Sequence, residues 1–261
     1  MNKQAVTVYK IGGGIIDDAA ELAAFLQLLA QAPGPKILVH GGGKGASALM
    51  RELGMTPLLV NGRRVTDAAT LDIVVMFYAG KTNKEIVAGL QQAGVNAIGL
   101  SGADGNVIRG HRRPVGEVDY GLVGDLGPAS VNHELLLTLL QAGLTPVLCP
   151  IIHDGAGQLL NTNADTIASA VAVALAAALD VTLHYCFEKN GVLRDVADDK
   201  SVIPEINAAG YATLKAQGVV ADGMLPKLDN AFAALQAGVR RVVIGHALNL
   251  STDLQTVLCL S

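Results

Sequence analysis

The sequence predicts an α/β fold, a mainly parallel sheet with helices on both faces, and three observations carry that expectation. Short apolar runs ending in glycine or polar turns alternate with Ala/Leu-rich stretches of helical spacing. Hydrophobic residues make up 51% of the 261 residues but aromatics only 3%, with no Trp, so Ala, Val and Leu must fill the core, as in a sheet buried on both faces. Two apolar runs empty into glycine triplets, Gly12 to Gly14 and Gly41 to Gly43, where a bare turn can lead from a strand into a helix.

Taken in order, strands are expected at Val6 to Ile11, Lys36 to His40, Asn96 to Leu100, Pro146 to Ile152, Val181 to Phe187 and Arg241 to Ile244. Helical spacing marks Asp17 to Ala32, Gly45 to Leu53 and Asn132 to Ala142. Thr66 and Asp67 form a cap for a helix whose next turns, Leu71 to Tyr78, are apolar nearly all round. Such a helix must be covered on more than one side, either within the monomer or by the sheet and a second subunit together, and a homodimer is expected. Gly102 to Leu126 lacks the helical period and reads as short strands or hairpins on one edge. Ala164 to Val181 is apolar enough to resemble a membrane span, but it opens at Asp165 between polar flanks and reads as a buried helix. If the chain divides, a boundary at Ala178 to Asp180 leaves lobes 1–178, with both glycine turns, and 179–261.

The formal net charge of −4 argues against nucleic acid as a partner. Cys149, Cys186 and Cys259 are odd in number and set in apolar runs, which suits buried thiols of a reducing cytoplasm. Met1 to Gln4 leads directly into the first strand without an export signal, so neither export nor membrane insertion is expected.

Lys10 stands at the end of the first strand, just before its glycines, where lysine and bare N–H groups form an anion cradle. The second cradle follows His40. Gly41 to Ala46 matches G-x-G-x-x-A by letters, but no acid follows about 20 residues later in Asn61-Gly62-Arg63-Arg64, so a dinucleotide site is set aside. Gly80-Lys81-Thr82 imitates the end of a P-loop, but Val75 stands where its leading glycine belongs. Three further clusters gain meaning beside the cradles. Arg64 follows a turn and can hold a carboxylate by its planar fork, although two solvated arginines on a loop would look the same. Asn161, Asn163 and Asp165 open a helix, either as caps or as groups aimed into a cleft. Lys227 follows a turn late in the chain. Two distant lysines with a carboxylate between them suit phosphoryl transfer, in which catalysis is mainly positioning and charge stabilisation.

In order, Lys10-x-Gly-Gly, His40-Gly-Gly-Gly, Asn61-Gly-x-Arg-Val-Thr, Gly102-x-Asp-Gly, Asn161-x-Asn-x-Asp165 and Asp222-Gly-Met-x-x-Lys227 resemble the amino acid kinase family over nearly the whole chain. The resemblance implies a three-layer α/β/α sandwich around a mainly parallel central sheet, a single domain whose lobe 1–178 holds the amino-acid substrate and the dimer contact and whose lobe 179–261 holds ATP. It implies transfer of the γ-phosphoryl group of ATP, with Mg²⁺ carried by ATP, to the side-chain carboxylate of an N-acylated L-glutamate in arginine biosynthesis. Acetyl and succinyl both stay open as the acyl group. A sister kinase for another small acid or a nucleoside monophosphate is the first rival, and a catalytically silent sensor on the same fold the second.

By the same resemblance Lys10, Lys227, Asp165 and Gly13 are catalytic: Lys10 on the transferring phosphoryl group, Lys227 on the leaving side, Asp165 holding both lysines. Gly42, Gly43, Arg64, Asn161 and Asn163 bind the substrate. Glu188, Lys189, Asn190, Gly191, Val192, Leu193, Val219, Val220, Ala221, Asp222 and Gly223 bind the nucleotide. Three departures stand out. Glu188-Lys189-Asn190 replaces a frequent Asp-Val-x, His246 to Ser261 lacks the usual Gly-Thr ending, and Lys10 lies too near the start to leave room for the extra N-terminal helix of arginine-inhibited hexamers. The expectation is an arginine-insensitive dimer.

Overall fold

Residues 3–195, 197–220, 224–250 and 252–260 are described in the computed structural model. The chain opens with β1 (Ala5–Ile11), α1 (Gly13–Asp17), α2 (Ala19–Gln31), β2 (Lys36–His40) and α3 (Gly45–Glu52). The helix predicted from Asp17 to Ala32 is α2, which starts at Ala19 because Asp18 is extended and its carboxylate accepts from Ala20 and Glu21 N–H; α1 is a separate short helix on the first glycine turn. After a small hairpin, β3 (Leu59–Val60) and β4 (Arg63–Arg64), Asp67 caps α4 (Ala68–Val74) by accepting from Thr70 N–H. Thr66 takes no part in that cap; its hydroxyl donates to Arg64 O. Helical backbone then continues unbroken through a π-helical stretch, Val75–Thr82, into α5 (Asn83–Gln92).

β5 (Ala97–Leu100) is followed by the irregular edge predicted for 102–126, which contains the antiparallel pair β6 (His111–Arg112) and β7 (Gly124–Asp125). Next come α6 (His133–Gln141), β8 (Thr145–Leu148), β9 (Ile151–His153), β10 (Leu159–Asn161) and α7 (Ala164–Ala176). The run Pro146 to Ile152 is therefore not one strand but two. β8 joins the central sheet, and past Cys149 and Pro150 β9 leaves it to pair with β10, proline having no N–H to continue a ladder. The Ala-rich helix is also shorter than expected, since Asp180 and Val181 already belong to β11 (Asp180–Phe187). β12 (Glu205–Ile206), α8 (Ala208–Ala216), α9 (Leu225–Gln236), β13 (Arg241–His246) and β14 (Gln255–Leu258) complete the strands and α-helices of the described residues.

The central sheet runs β12-β14-β13-β11-β1-β2-β8-β5. Only the β13–β14 pairing in it is antiparallel. β1 lies beside both β2 and β11, so the sheet passes without interruption across the predicted lobe boundary.

Strand alternation divides the core into two layers. Val6 and Val8 pack with Val39, Leu183 and Tyr185 against the apolar faces of α7 and α9. Tyr9, Ile11, Leu38 and Cys186 face the other way, towards Phe25 and Leu29 of α2 and Ile86 and Leu90 of α5. The result is the expected α/β/α sandwich. Cys149 and Cys186 are buried as expected, but Cys259 is only half-buried. Among the described residues no helix is long and apolar enough to cross a membrane.

Candidate active site

Lys10 continues the face of β1 that carries Val6 and Val8, and in register it stands opposite Tyr185. Its side chain therefore emerges on the α7 side, where Asp165 occupies the first turn of that helix. Lys10 Nζ and Asp165 Oδ1 are 2.8 Å apart, an ion pair without the angle of a directed hydrogen bond. Lys10 is 7% exposed, so its charge is largely withdrawn from water and faces the site.

The two glycine turns touch. A Cβ on Gly13 would stand 2.9 Å from Gly43 Cα, so a side chain at this crossing would push the turns apart. Gly43 has φ +61°, a left-handed conformation suited to glycine. Asp17 ties the turns together, its carboxylate accepting from Lys44 N–H at 2.8 and 3.0 Å. Across the second turn the π-helical stretch lays the Tyr78 ring against Gly42 and the Phe77 ring against Gly45.

Two cavities open from this crossing. One, about 390 Å³, is lined by Gly42, Gly43, Arg64, Asn161, Asn163 and Asp165; the other, about 350 Å³, by Phe187, Lys189, Gly191, Met224 and Lys227. Lys10, Gly12, Gly13, Gly14 and Glu188 line both. Two ligands can thus approach from opposite sides and meet at Lys10.

In the larger cavity Arg64 Nη2 donates to Ser47 Oγ at 2.7 Å and Nη1 contacts Met50 Sδ at 3.4 Å, while Nε is buried without a partner among the described residues. A buried, unpaired N–H of a guanidinium is a donor that a ligand carboxylate would satisfy. Asn161, buried at the end of β10, donates through Nδ2 to Thr66 Oγ1 at 3.1 Å, and Thr66 donates in turn to Arg64 O. Asn163 Oδ1 caps α7, accepting from Asp165 and Thr166 N–H.

In the smaller cavity Lys227 Nζ lies over the Phe187 ring, 4.1 Å from its centroid, and Lys10 Nζ lies 5.6 Å from the same centroid. No ion pair joins Lys227 to Asp165 among the described residues, so Asp165 holds Lys10 directly and reaches Lys227 only through its field. Burial lowers the Lys227 pKa and the neighbouring Lys10 lowers it further, while Asp165 and Glu188 oppose this. Phe187 was not singled out from the sequence. Its signal was period-two alternation: two places beyond Tyr185 on β11, it falls on the face of Lys10.

The remaining residues expected to bind nucleotide are more scattered. Glu188 lies against Gly14 and lines both cavities. Lys189 pairs with Asp199 at 2.7 Å, and Asn190 donates to Asp199 O at 3.2 Å. Val192, Leu193 and Val220 are buried in the core, Val219 packs partly buried beside them, and none of these four lines either cavity. Ala221, Asp222 and Gly223 lie outside the described residues.

A lysine–carboxylate pair at the crossing of two glycine turns, with a second lysine across the junction of two cavities, belongs to enzymes that move an anionic group between two bound molecules. The chain matches the amino acid kinase family over residues 5–246, and it belongs to that family. It is 54% identical to an acetylglutamate kinase of Bacteroides fragilis, over 96% of this chain and 95% of that one. It is 52% identical to an acetylglutamate kinase of Phocaeicola vulgatus, over 98% and 99%. Among solved structures it resembles smu.665 from Streptococcus mutans UA159, with a TM-score of 0.79 at 29% identity, covering 98% of this chain and 99% of that one.

Proposed function

We propose that this chain transfers the γ-phosphoryl group of ATP to the side-chain carboxylate of N-acetyl-L-glutamate, giving an acyl phosphate, as a step of arginine biosynthesis. The observation that carries the reading is the meeting of the two cavities at Lys10 and the first glycine turn, in a chain so similar to acetylglutamate kinases. N-acetylglutamate occupies the larger cavity, its α-carboxylate on Arg64 and its acylated amine near Asn161, with Gly42 and Gly43 beside the reacting end. The unpaired Arg64 Nε supports that placement.

ATP occupies the smaller cavity, between the lobe 179–261 and the first glycine turn, with Lys227 on the leaving side. The attacking carboxylate is already ionised at neutral pH and needs no base. Lys10, Lys227 and the N–H groups of Gly13, Gly42 and Gly43 offset the charge that spreads over the phosphoryl oxygens. Mg²⁺ would supply further neutralisation, held mainly by phosphates and water. The acids lining the cavities suit that arrangement, since Asp17 is engaged by Lys44 N–H and Asp165 by Lys10, while Glu188 makes no hydrogen bond or ion pair among the described residues and acts on Lys227 through its field. Two copies pair through the long helix Ala68–Gln92, on which Met76 is 57% exposed.

Incubation with Mg-ATP, hydroxylamine and a panel of free and N-acylated acidic amino acids tests the reaction. Hydroxamate should form with N-acetylglutamate and not with free glutamate. No hydroxamate from any acylated glutamate would sink the proposal. Light scattering tests the dimer, which a monomer mass would overturn.

A further inference from the structure

His40 is fully buried at the end of β2, immediately before the second glycine turn. Its Nδ1 is 2.8 Å from Gly41 O, and its Nε2 is 3.1 Å from Asn83 Nδ2. The proton positions follow from the partners. Lys84 Nζ, which can only donate, bonds Asn83 Oδ1 at 3.1 Å, and Val147 O, which can only accept, bonds Asn83 Nδ2 at 3.0 Å. The Asn83 amide is thereby oriented with its NH₂ towards His40, so Nε2 must accept. Nδ1 must then donate to Gly41 O.

We propose that His40 is a positioning residue: held by Asn83 with its proton on Nδ1, it pins the Gly41 carbonyl and so aims the Gly42 N–H into the larger cavity. In a trans peptide the carbonyl of one residue and the N–H of the next point in opposite directions. Fixing the Gly41 oxygen towards the imidazole therefore fixes the direction of the Gly42 donor. That N–H has no protein acceptor among the described residues, and Gly42 lines the cavity. Burial and the Lys84 ammonium keep the ring neutral, its pKa lowered to about 4. Gly99 makes room for the chain of bonds, since a Cβ there would stand 2.0 Å from Asn83 Oδ1. The inference rests on the reading of this cavity as the site of phosphoryl transfer.

Two measurements on the full chain test it. Long-range ¹H–¹⁵N spectra, with the His40 ring assigned by its loss in His40→Asn, should show a neutral Nδ1–H tautomer at neutral pH; an Nε2–H tautomer or an imidazolium would overturn the proposal. In the hydroxamate assay, folded His40→Leu should lose about 10²- to 10³-fold in kcat, the usual cost of one misplaced oxyanion donor, with KM changed little. His40→Asn, whose amide NH₂ can replace Nδ1–H, should recover most of that loss. A folded His40→Leu with the kcat of the unaltered chain would overturn it as well. If neither variant folds, the ring spectrum of the unaltered chain decides. Absence of turnover in the unaltered chain would count against the proposed reaction and leave the ring spectrum as a separate reading.

Discussion

Lys227 and Phe187 form a cation–π pair, the ammonium 4.1 Å from the ring centroid, and the same ring lies 5.6 Å from Lys10 Nζ. Two ammonium groups that repel each other thus share one aromatic neighbour, beside a strand end where the next residue is Glu188. The ring lends the cations a negative π face without supplying a competing carboxylate for the phosphates.

Phe187→Leu should weaken ATP binding and move the alkaline limb of the pH–rate profile to lower pH. The sign follows from the pair. Burial already lowers the Lys227 pKa, the ring favours the ammonium, and removing the ring lowers the pKa further, so the charge is lost earlier as pH rises. A cation–π contact of about 0.5–2 kcal/mol corresponds to roughly a two- to thirtyfold rise in KM for ATP. Phe187→Tyr should stay close to the unaltered enzyme. A profile that does not move in Phe187→Leu would remove this role.

Lys10→Ala should lower kcat by at least about 10²-fold, since it deletes the charge at the junction of both cavities. KM for ATP should rise less, because Lys227 remains. Thermal melts would check that the fold survives with Asp165 unpaired. A folded variant with full turnover would show that the junction is not the path of transfer.

Much of this was legible in the sequence, and the limits are physical. Lys10, Asp165, Arg64 and Asn161 converge because each lies at the end or start of an element whose pattern is local: apolar strand, glycine turn, capped helix. Period and turn chemistry see such places. The π-helical stretch left no comparable trace, because Val75 to Thr82 has an unremarkable helical composition and only the fit of Tyr78 and Phe77 to the second glycine turn reveals the wider winding. Asn83 was likewise invisible, since its partners His40 and Val147 are 43 and 64 residues away. The split at Cys149 and Pro150 was not marked by proline alone, since Pro146 of the same run lies inside β8, opposite Ile98.

Gly42→Ala should both destabilise the fold and slow turnover. The added Cβ would meet the Tyr78 ring at 2.1 Å, and Tyr78 is 6% exposed and has little room to retreat. Overpacking of this kind costs about 1–3 kcal/mol. Tyr78→Leu in the same chain should restore part of the stability by removing the clashing ring edge, which urea titration would read. A Gly42→Ala variant as stable as the parent would mean that the π-helical stretch yields easily and does not clamp the turn.

Acid should unfold the protein earlier than its carboxylates alone would dictate, because two buried histidines are held neutral. His40 and His184 both have pKa values lowered from 6.5 to about 4, chiefly by burial. Below pH 6.5 the unfolded chain takes up protons at these two positions while the folded chain does not. Stability therefore falls as pH drops from about 6.5 towards 4, by up to about 1.4 kcal/mol per pH unit for each histidine. The stabilisation is fully present above that window. His184 packs against Tyr9 with ring centroids 5.5 Å apart and lines neither cavity. His184→Phe keeps a flat ring and removes one titration, so urea-unfolding free energies measured from pH 7 to pH 4.5 should fall about half as steeply from this source. An unchanged slope would mean that His184 is protonated in the folded state at little cost.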